Sequence, residues 1–350
     1  MNTKKLLLAV LFFLTLPGLT HATTYYVRTD GHDSASGLND TNNASTGAWL
    51  NPQKCVDTGS VLVGGDTCMV GNGTYTDTDG NNIVIYVRGN NGTSLAAPIT
   101  IQAQNYLGAK LTIPALASPG AYGVYVARNY IAIRGFEISG GGSNGTTTSI
   151  TGVGSLSSNT GLDVDRNYFH DIGYVCSTSV YGFDGISHNA NSTTIQRNIF
   201  ETIGRESVAE GCASGTTLAN PVNDHGIYLQ GGSTATIKNN YFITHKKGWG
   251  IQFHSTSTAM SGVNIYNNTF YGNGGNVSGH IILGSTNLNS SVNIKNNIFD
   301  TPLNYATTRY NSGTGTFSAV VISNNQTSVA TFDNPSALDG PLCSAAGVTC

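Results

Sequence analysis

The sequence predicts an all-β fold, a single-stranded right-handed parallel β-helix, because of a repeated strand unit, the residues at its turn and an unusual composition. In each unit an apolar residue is followed, two positions later, by a basic or Asn residue, then Asn, any residue and Phe. The five copies are residues 164–169, 195–200, 237–242, 265–270 and 294–299. Their central residues, Asn167, Asn198, Asn240, Asn268 and Asn297, are spaced by 31, 42, 28 and 29 residues. Repeats of this length are typical of solenoids, in which each unit packs on its neighbours.

The repeated unit is interpreted as two short apolar strands joined by a tight turn at the Asn. Asn tolerates the left-handed backbone of such a turn, and its side chain can hydrogen-bond to nearby backbone. Stacked coil on coil, the Asn side chains are expected to form an internal ladder and the Phe rings an interior stack. Parallel crossovers are almost always right-handed, so the same hand is expected here.

The composition agrees with a β-helix. Only 10% of the 350 residues are charged and 44 are Gly, whereas ordinary domains are about 25% charged. Small polar residues in the turns and on the outer faces of a solenoid explain this deficit. The regular apolar pattern argues against the alternative interpretation, a disordered chain.

Residues 1–22 are predicted to be a secretory signal peptide. Lys4 and Lys5 form a basic start, residues 6–16 form an apolar core too short to span a bilayer, and Ala22 ends a small-residue cleavage site. The mature protein is therefore expected to be secreted or periplasmic. Loss of two Lys charges moves the formal charge from −3 to −5, which disfavours a nucleic-acid partner.

The β-helix is expected to occupy residues 23–350, as a monomer with no membrane span. Residues 23–113 would form the N-terminal cap and first coils, 114–330 the repeat coils and 331–350 a C-terminal tail. A short amphipathic helix between residues 49 and 63 would protect the edge of the first coil from pairing with another chain.

The six cysteines fit an oxidising compartment and fall into pairs that are close in sequence. The preferred pairs are Cys55–Cys68, Cys176–Cys212 and Cys343–Cys350, although other connectivities stay open. Cys176 and Cys212 lie in the long connections of neighbouring coils. A bridge between them would stiffen the loop of residues 205–223 into one wall of a cleft.

Residues 25–103 carry a Tyr-Tyr-Val start, a Gly-Asp-Thr strand, a Gly-Thr-Tyr turn and a Pro-Ile-Thr-Ile strand. In this order the four pieces resemble the N-terminal region of secreted bacterial right-handed parallel β-helix proteins of the pectate-lyase-like type. Many of those proteins are polysaccharide lyases or related carbohydrate-active enzymes. The resemblance implies the fold and a carbohydrate substrate, but activity must be argued from a site, because one fold hosts many functions.

A candidate site emerges when the second strand of four coils is aligned on Ile186, Ile227, Ile251 and Ile281. If each Ile points inward, alternation turns the positions beside it outward. The outward set is Ser187, Asn189, Tyr228, Gln230, Gln252, His254, His280 and Ile282, whereas His188 falls on an inward position. Just before these strands come Asp184, Asp224, His225, Lys246, Lys247 and Trp249. Coils stack about 4.8 Å apart, so these residues are expected to form one polar and aromatic patch.

This patch has candidates for each requirement of β-elimination from a uronate. The base would be Lys247 or His225, and His254 would act as acid or sugar contact. Asp184 and Asp224 would bind Ca²⁺ or orient other groups, because carboxylate oxygens suit that ion. Sugar contacts are expected from Tyr228, Gln230, Trp249, Gln252, His280 and Lys246.

Residues 232–248 also resemble a stretch of the pectate lyases, in which a Gly-Ser, a Val-Thr-Ile-Ser-Asn-Asn-x-Phe strand and a His-x-Lys run follow in that order. The counterparts here are Gly232-Ser233, residues 235–242 and His245-Lys246-Lys247. The resemblance implies that Lys247 contacts an acidic sugar. This sequence has no counterpart of that family's Arg-x-Pro-x-Arg segment or of its acidic calcium ligands. The match therefore supports a lyase-like site rather than membership of the family.

Three functions are compatible with these residues. The favoured one is a lyase, or a related epimerase, that acts on a uronate-containing polysaccharide. The second is a glycoside hydrolase that uses Asp184 and Asp224, with Glu206 or Glu210 reaching in from the long loop, because hydrolysis needs two carboxylates across the scissile bond. The third is a non-catalytic polysaccharide-binding or adhesive module.

Overall fold

The computed structural model describes residues 22–115, 120–142, 149–205, 223–232, 234–243, 248–255, 261–272, 279–285, 290–299, 308–310 and 320–326. Their strands form three parallel sheets, A, B and C, and successive coils contribute one strand to each. The parallel β-helix predicted from the repeats is confirmed.

Each sheet is built from strands that lie one coil apart in the sequence and pair in parallel. Sheet A contains β1 (Thr24–Val27), β2 (Thr67–Val70), β5 (Ile99–Ala103), β8 (Ile131–Arg134), β11 (Leu162–Asp165), β14 (Thr193–Gln196), β17 (Ala235–Lys238), β20 (Ser261–Tyr266), β23 (Ser290–Lys295) and β26 (Val320–Ser323). Sheet B contains β3 (Gly73–Tyr75), β6 (Ala109–Ile113), β9 (Glu137–Gly140), β12 (Tyr168–Ile172), β15 (Ile199–Glu201), β18 (Tyr241–Ile243), β21 (Thr269–Tyr271) and β24 (Ile298–Phe299). Sheet C contains β4 (Ile83–Val87), β7 (Gly120–Val126), β10 (Ser149–Ser155), β13 (Phe183–His188), β16 (His225–Leu229), β19 (Ile251–Ser255), β22 (Ile281–Ser285) and β25 (Thr308–Tyr310).

The Asn residues of the repeats form a buried ladder between sheets A and B, as predicted. The Oδ1 of Asn198 accepts the backbone N–H of Asn167 at 2.9 Å, and its Nδ2 donates to the carbonyl of Val164 at 2.9 Å. The same two bonds recur at each later step, and Asn325 adds a sixth rung. Each turn is thereby tied to the coils on both sides of it.

The left-handed residue of each turn is the one before the ladder Asn, not the ladder Asn itself. Arg166, Arg197 and Asn239 have φ angles of 56°, 55° and 57°. The equivalent residues Asn267, Asn296 and Asn324 have φ angles of 55°, 57° and 58°. Asn tolerates this region better than most residues, which explains its frequency at this position. The tolerance for a left-handed backbone, which was expected of the ladder Asn, is therefore needed at the residue before it.

The Phe residues of the repeats stack inside the solenoid, also as predicted. Centroids of successive rings lie 4.6–4.9 Å apart along the column Phe169, Phe200, Phe242, Phe270 and Phe299. That spacing equals the distance between neighbouring strands of a sheet. The rings belong to one continuous core from Val27 to Phe299, and burial of each contributes about 2 kcal/mol.

A single helical turn, α1 (Gln53–Val56), lies where the sequence predicts a cap helix. The Gln53 side chain donates to the carbonyl of Tyr86 at 2.9 Å and accepts its N–H at 2.6 Å, on the edge strand β4. Cys55 in this turn is bonded to Cys68 in β2, which confirms that pair. Closing a loop of this size stabilises the fold by about 3 kcal/mol. The role of the turn as a cap stays a prediction.

Several predictions about covalent structure and targeting fall outside the described residues. Cys176 is disulfide-bonded, and its partner lies in the part of the chain that is not described, as do Cys212, Cys343 and Cys350. The pairs Cys176–Cys212 and Cys343–Cys350 therefore stay predictions. So do the signal peptide and the C-terminal tail. Within the described ranges, no helix is long and apolar enough to cross a membrane.

Candidate functional site

The four strands used to locate the site align in sheet C as predicted. Ile186, Ile227, Ile251 and Ile281 pair in succession, and all four are buried. One position later, Ser187, Tyr228, Gln252 and Ile282 form a partly exposed column. The predicted face is therefore the outer side of sheet C.

The alternation of side chains is broken in these strands, which changes the residues that flank that column. Simple alternation would turn the residue before each Ile outward, but this position is Gly in successive strands and faces the core. A Cβ at Gly152 or Gly185 would lie 2.7 or 2.8 Å from the ring of Phe169 or Phe200. The residue two before each Ile faces outward instead. Thr151, Asp184 and His225 occupy this second column, in register on neighbouring strands.

The outward side chains of sheet C line a cleft of about 500 Å³ whose floor spans β7, β10, β13, β16 and β19. Coils lie about 4.8 Å apart, so the floor is roughly 19 Å long. Seven residues of the predicted patch line it: Asp184, Ser187, Asn189, His225, Tyr228, Gln230 and Gln252. Among the described lining residues Asp184 is the only carboxylate, and none is Lys or Arg. The cleft thus combines one acid with aromatic and neutral polar groups.

Asp184 is a buried acid at the base of this cleft. It is 4% exposed, and among the described residues its Oδ1 has no hydrogen-bond partner. Burial, with the nearby negative charge of Asp224, raises the pKa of Asp184 well above its ordinary value. The backbone N–H of His225 and the charge of Arg205 act in the opposite direction. Asp184 therefore keeps its proton to an unusually high pH and can donate a hydrogen bond to a ligand.

His225 and Tyr228 lie on the strand next to Asp184. The Nδ1 of His225 accepts the backbone N–H of Trp249 at 3.2 Å, which leaves the proton of a neutral imidazole on Nε2. The rings of His225 and Tyr228 lie 5.3 Å apart between centroids. Burial and the charge of Asp184 raise the pKa of Tyr228 to about 12. In this arrangement both side chains are proton donors, which does not suit the base role predicted for His225.

Asp224 points away from the cleft and pairs with a buried Arg. Arg205 donates from Nε to Oδ2 at 2.8 Å and from Nη2 to Oδ1 at 2.7 Å, and both side chains are fully buried. The backbone N–H groups of Phe183 and Arg205 also bond to this carboxylate. Arg205 further donates to the carbonyls of Ser179 and Tyr181. Asp224 and Arg205 therefore hold the segment that forms one wall of the cleft.

The calcium site predicted from Asp184 and Asp224 does not fit this geometry. Both oxygens of Asp224 are engaged by a guanidinium group, which would repel a cation. Across the described ranges, no three His, Cys, Asp or Glu side chains are grouped so that they could hold a metal ion. A calcium requirement stays an untested prediction, but this pair of carboxylates is not a suitable ligand set.

Two predicted sugar contacts are buried instead. His280 takes the inward glycine position of its strand, with its ring 5.6 Å from Phe270 and 5.5 Å from Phe299. Its expected outward orientation is wrong, because the aligned position in the other strands also faces the core. Trp249 is buried and does not line the cleft. His188 is buried, as its inward position predicts.

The remaining predicted site residues fall outside the part of the chain that the structure describes. Glu206, Glu210, Lys246 and Lys247 lie outside the described residues, and the side chain of His254 in β19 is likewise not described. Gly248 abuts the carbonyl of Asp224, and a Cβ there would lie 2.9 Å from Nδ1 of His225. The chain that follows Lys247 therefore continues directly beside His225.

Sequence reasoning missed the cleft residues on β7 and β10, among them Tyr122, Tyr125 and Gly154. Their coils lack the Asn-x-Phe consensus, so they were not aligned with the later strands. A different signal would have found them: the motif x-Gly-Val/Ile-x recurs at residues 122–125, 151–154, 184–187, 225–228 and 249–252. Its first and last positions are the two outward columns, although Trp249 in the last copy does not line the cleft.

No protein-family model matches this chain, and no curated protein matches it. Among solved structures, pectate lyase Pel9A is similar with a TM-score of 0.51 at 14% identity, over 95% of this chain and 88% of its own. An alginate lyase from Paenibacillus sp. str. FPU-7 has a TM-score of 0.41 at 13% identity, over 79% of this chain and 94% of its own. A GH136 lacto-N-biosidase from Eubacterium ramulus has a TM-score of 0.39 at 12% identity, over 88% of this chain and 68% of its own. The likeness to the pectate lyase shows a shared parallel β-helix fold.

Proposed function

We propose that this chain is a secreted carbohydrate-active enzyme that cleaves a uronate-containing polysaccharide by β-elimination in the cleft on sheet C. One observation carries the proposal. Asp184 is a buried acid with a raised pKa and an oxygen that has no partner among the described residues, and it lines an aromatic cleft. Such an acid can neutralise a substrate carboxylate, the requirement that separates elimination from simple binding.

The neutral form of Asp184 suits the first demand of the reaction. A uronate loses its C5 proton only when its carboxylate charge is neutralised. Protonated Asp184 can donate a hydrogen bond to that carboxylate, whereas an ionised Asp would repel it. Tyr228, protonated because its pKa is about 12, would give its proton to the leaving oxygen as the C4–O bond breaks. The electron pair from C5 then forms the C4–C5 double bond.

The base in this proposal is Lys247. The resemblance of residues 232–248 to pectate lyases supports it, as does the position of Gly248 beside His225. A Lys can accept the C5 proton when its pKa is lowered toward the working pH. His225, with its proton on Nε2, would donate a hydrogen bond to the sugar and so hold it in place.

The test measures the unsaturated uronate by its ultraviolet absorbance in digests of polygalacturonate, alginate and rhamnogalacturonan. Asp184→Ala is expected to lower kcat about 100-fold or more, as loss of a donor to developing charge does. Asp184→Asn is expected to keep part of the activity, because an amide can also donate to a carboxylate. Asp171→Asn is the matched control, since the Asp171 side chain is 54% exposed on sheet B, outside the cleft. If wild type forms no absorbing product from any of these polymers, elimination is excluded for them.

A second candidate, glycoside hydrolysis, is favoured by the same raised pKa of Asp184, which suits a general acid. It needs a second carboxylate, for which Glu206 and Glu210 are the proposed sources. The two mechanisms differ in their products and in one variant. Hydrolysis yields new reducing ends without absorbance, and Asp184→Asn would then be as inactive as Asp184→Ala, because an amide cannot protonate the leaving oxygen. Binding without either product would indicate a non-catalytic module.

A further inference from the structure

Three tyrosines on the outer face of sheet C lie beyond the reach of the proposed chemistry. Tyr122 and Tyr125 in β7 have ring centroids 4.8 Å apart, and Tyr86 in β4 packs edge-on against Tyr125 at 5.6 Å. All three are partly exposed. β7 is two coils from β13, which places Tyr122 about 10 Å along the axis from Asp184.

A gap separates these rings from the acid. The outward column that begins with Tyr86 and Tyr125 continues with Gly154 and Ser187 before it reaches Tyr228. Gly154 leaves room for the rings of Tyr122 and Tyr125 to lean over it, and the short side chain of Ser187 leaves a trough between these rings and Tyr228. Ser149 hydrogen-bonds to Tyr122 beside this trough, and the described lining there carries hydroxyls and amides rather than charges.

Gly154 is needed for the position of the tyrosine rings and not for the backbone conformation. Its φ is not in the left-handed region, so an L side chain could follow this backbone. A Cβ would nevertheless lie 2.8 Å from Cε1 of Tyr122 and 3.0 Å from Cδ2 of Tyr125. Any side chain here would push the tyrosine rings out of their present positions and fill the trough.

We propose that Tyr122 and Tyr125, whose rings lean over Gly154, form a second sugar-binding subsite, which holds a pyranose ring of the same glycan two coils away from the reacting residue. This inference rests on the proposed function and extends it to substrate length. Aromatic faces give a sugar's apolar C–H face a large rigid contact, and the tyrosine hydroxyls remain available to its polar edge. A glycan long enough to reach from Asp184 to Tyr122 gains this contact, and a shorter one does not.

The experiment compares KM and kcat for galacturonate and alginate oligomers of graded length in wild type, Gly154→Ala and Tyr125→Ala. Tyr106→Ala is the matched control, because Tyr106 is exposed and lies outside the cleft. Both cleft variants are expected to raise KM about threefold to tenfold for long oligomers, as the loss of an aromatic contact does. Short oligomers and kcat are expected to be unchanged. Circular dichroism melting establishes that each variant is folded.

The outcomes separate the subsite from the reaction. If wild type cleaves these glycans and both variants keep its KM at every length, or raise it equally at every length, the subsite is refuted while the lyase stands. If wild type binds oligomers by calorimetry without cleaving them and both variants weaken binding of long ones, the subsite stands and the lyase is refuted. If wild type neither binds nor cleaves them, both are refuted.

Discussion

Removal of one rung of the Asn ladder should destabilise the protein far more than removal of an Asn on its surface. Asn198→Ala deletes four hydrogen bonds, two accepted from Asn167 and two donated, to Val164 and Asn240. The Nδ2 of Asn167 and the Oδ1 of Asn240 each keep another protein partner. The backbone N–H of Asn167 loses the acceptor it has in the ladder, deep in the core.

The size of the effect follows from these bonds. A buried donor left without an acceptor costs about 2 kcal/mol. Each of the other three lost bonds costs somewhat less than 1 kcal/mol, because the group left behind is partly satisfied by another partner. We therefore expect Asn198→Ala to lower the free energy of unfolding by about 4 kcal/mol. Asn293→Ala is the matched control. Asn293 lies on the outer face of sheet A, and its Nδ2 donates to Asn264 at 3.0 Å, where water can replace it. Its cost should stay within about 1 kcal/mol.

The assay is urea unfolding followed by far-ultraviolet circular dichroism, with midpoint and slope compared among the three proteins. A solenoid can unfold in more than one step, so a changed slope in Asn198→Ala would indicate uncoupled coils rather than a simple loss of stability. The reasoning is refuted if Asn198→Ala and Asn293→Ala unfold at the same midpoint with the same slope.

Three further outcomes are expected. Asp184→Asn should be more stable than wild type at pH 7. Because the pKa of Asp184 is raised in the folded protein, its contribution to folding stability is complete below the pKa of about 3.8 in the unfolded chain and is lost as pH rises through the folded pKa. Equal pH profiles of the free energy of unfolding for the two proteins would contradict this. Burial lowers the pKa of His188 to about 4. The free energy of unfolding of wild type should therefore fall by about 3 kcal/mol relative to that of His188→Gln as pH falls from 6.5 to 4. A difference between the two proteins that does not change with pH would contradict this. Arg205→Met should cost about 3–5 kcal/mol, because it leaves Asp224 buried and unpaired. Adding Asp224→Leu to it should recover part of that loss in thermal melting, and no recovery would show that the charge is not the cause.

Repetition decided which parts of the fold could be predicted from sequence. The Asn and Phe columns recur because each coil gives them the same environment, so five similar segments were enough to align them. Tyr122 and Tyr125 were missed because no Asn-x-Phe repeat comes before their strand, and even in the coil that follows, Phe136 stands at the position of the ladder Asn. The predicted orientation of His280 was wrong because the strict alternation of side chains is broken just before each aligned Ile. No local pattern joins Arg205 to Asp224, since their pairing depends on the path of the chain across 19 residues.

The ladder also sets how this protein can change. The segments between rungs vary from 28 to 42 residues, yet the bond from each Asn backbone to the next rung stays at 2.8–2.9 Å. Each ladder Asn thus returns the chain to the same position around the axis of the solenoid, whatever the length of the loops that come before. Loops can lengthen, or a whole coil can be duplicated, without rotating the side chains that face the cleft. A coil inserted between β13 and β16 would move His225 away from Asp184 by one increment of about 4.8 Å and leave both facing the cleft. The distance between side chains that face the cleft can therefore change only in steps of one coil. Divergence among such chains should appear as insertions or deletions of whole coils.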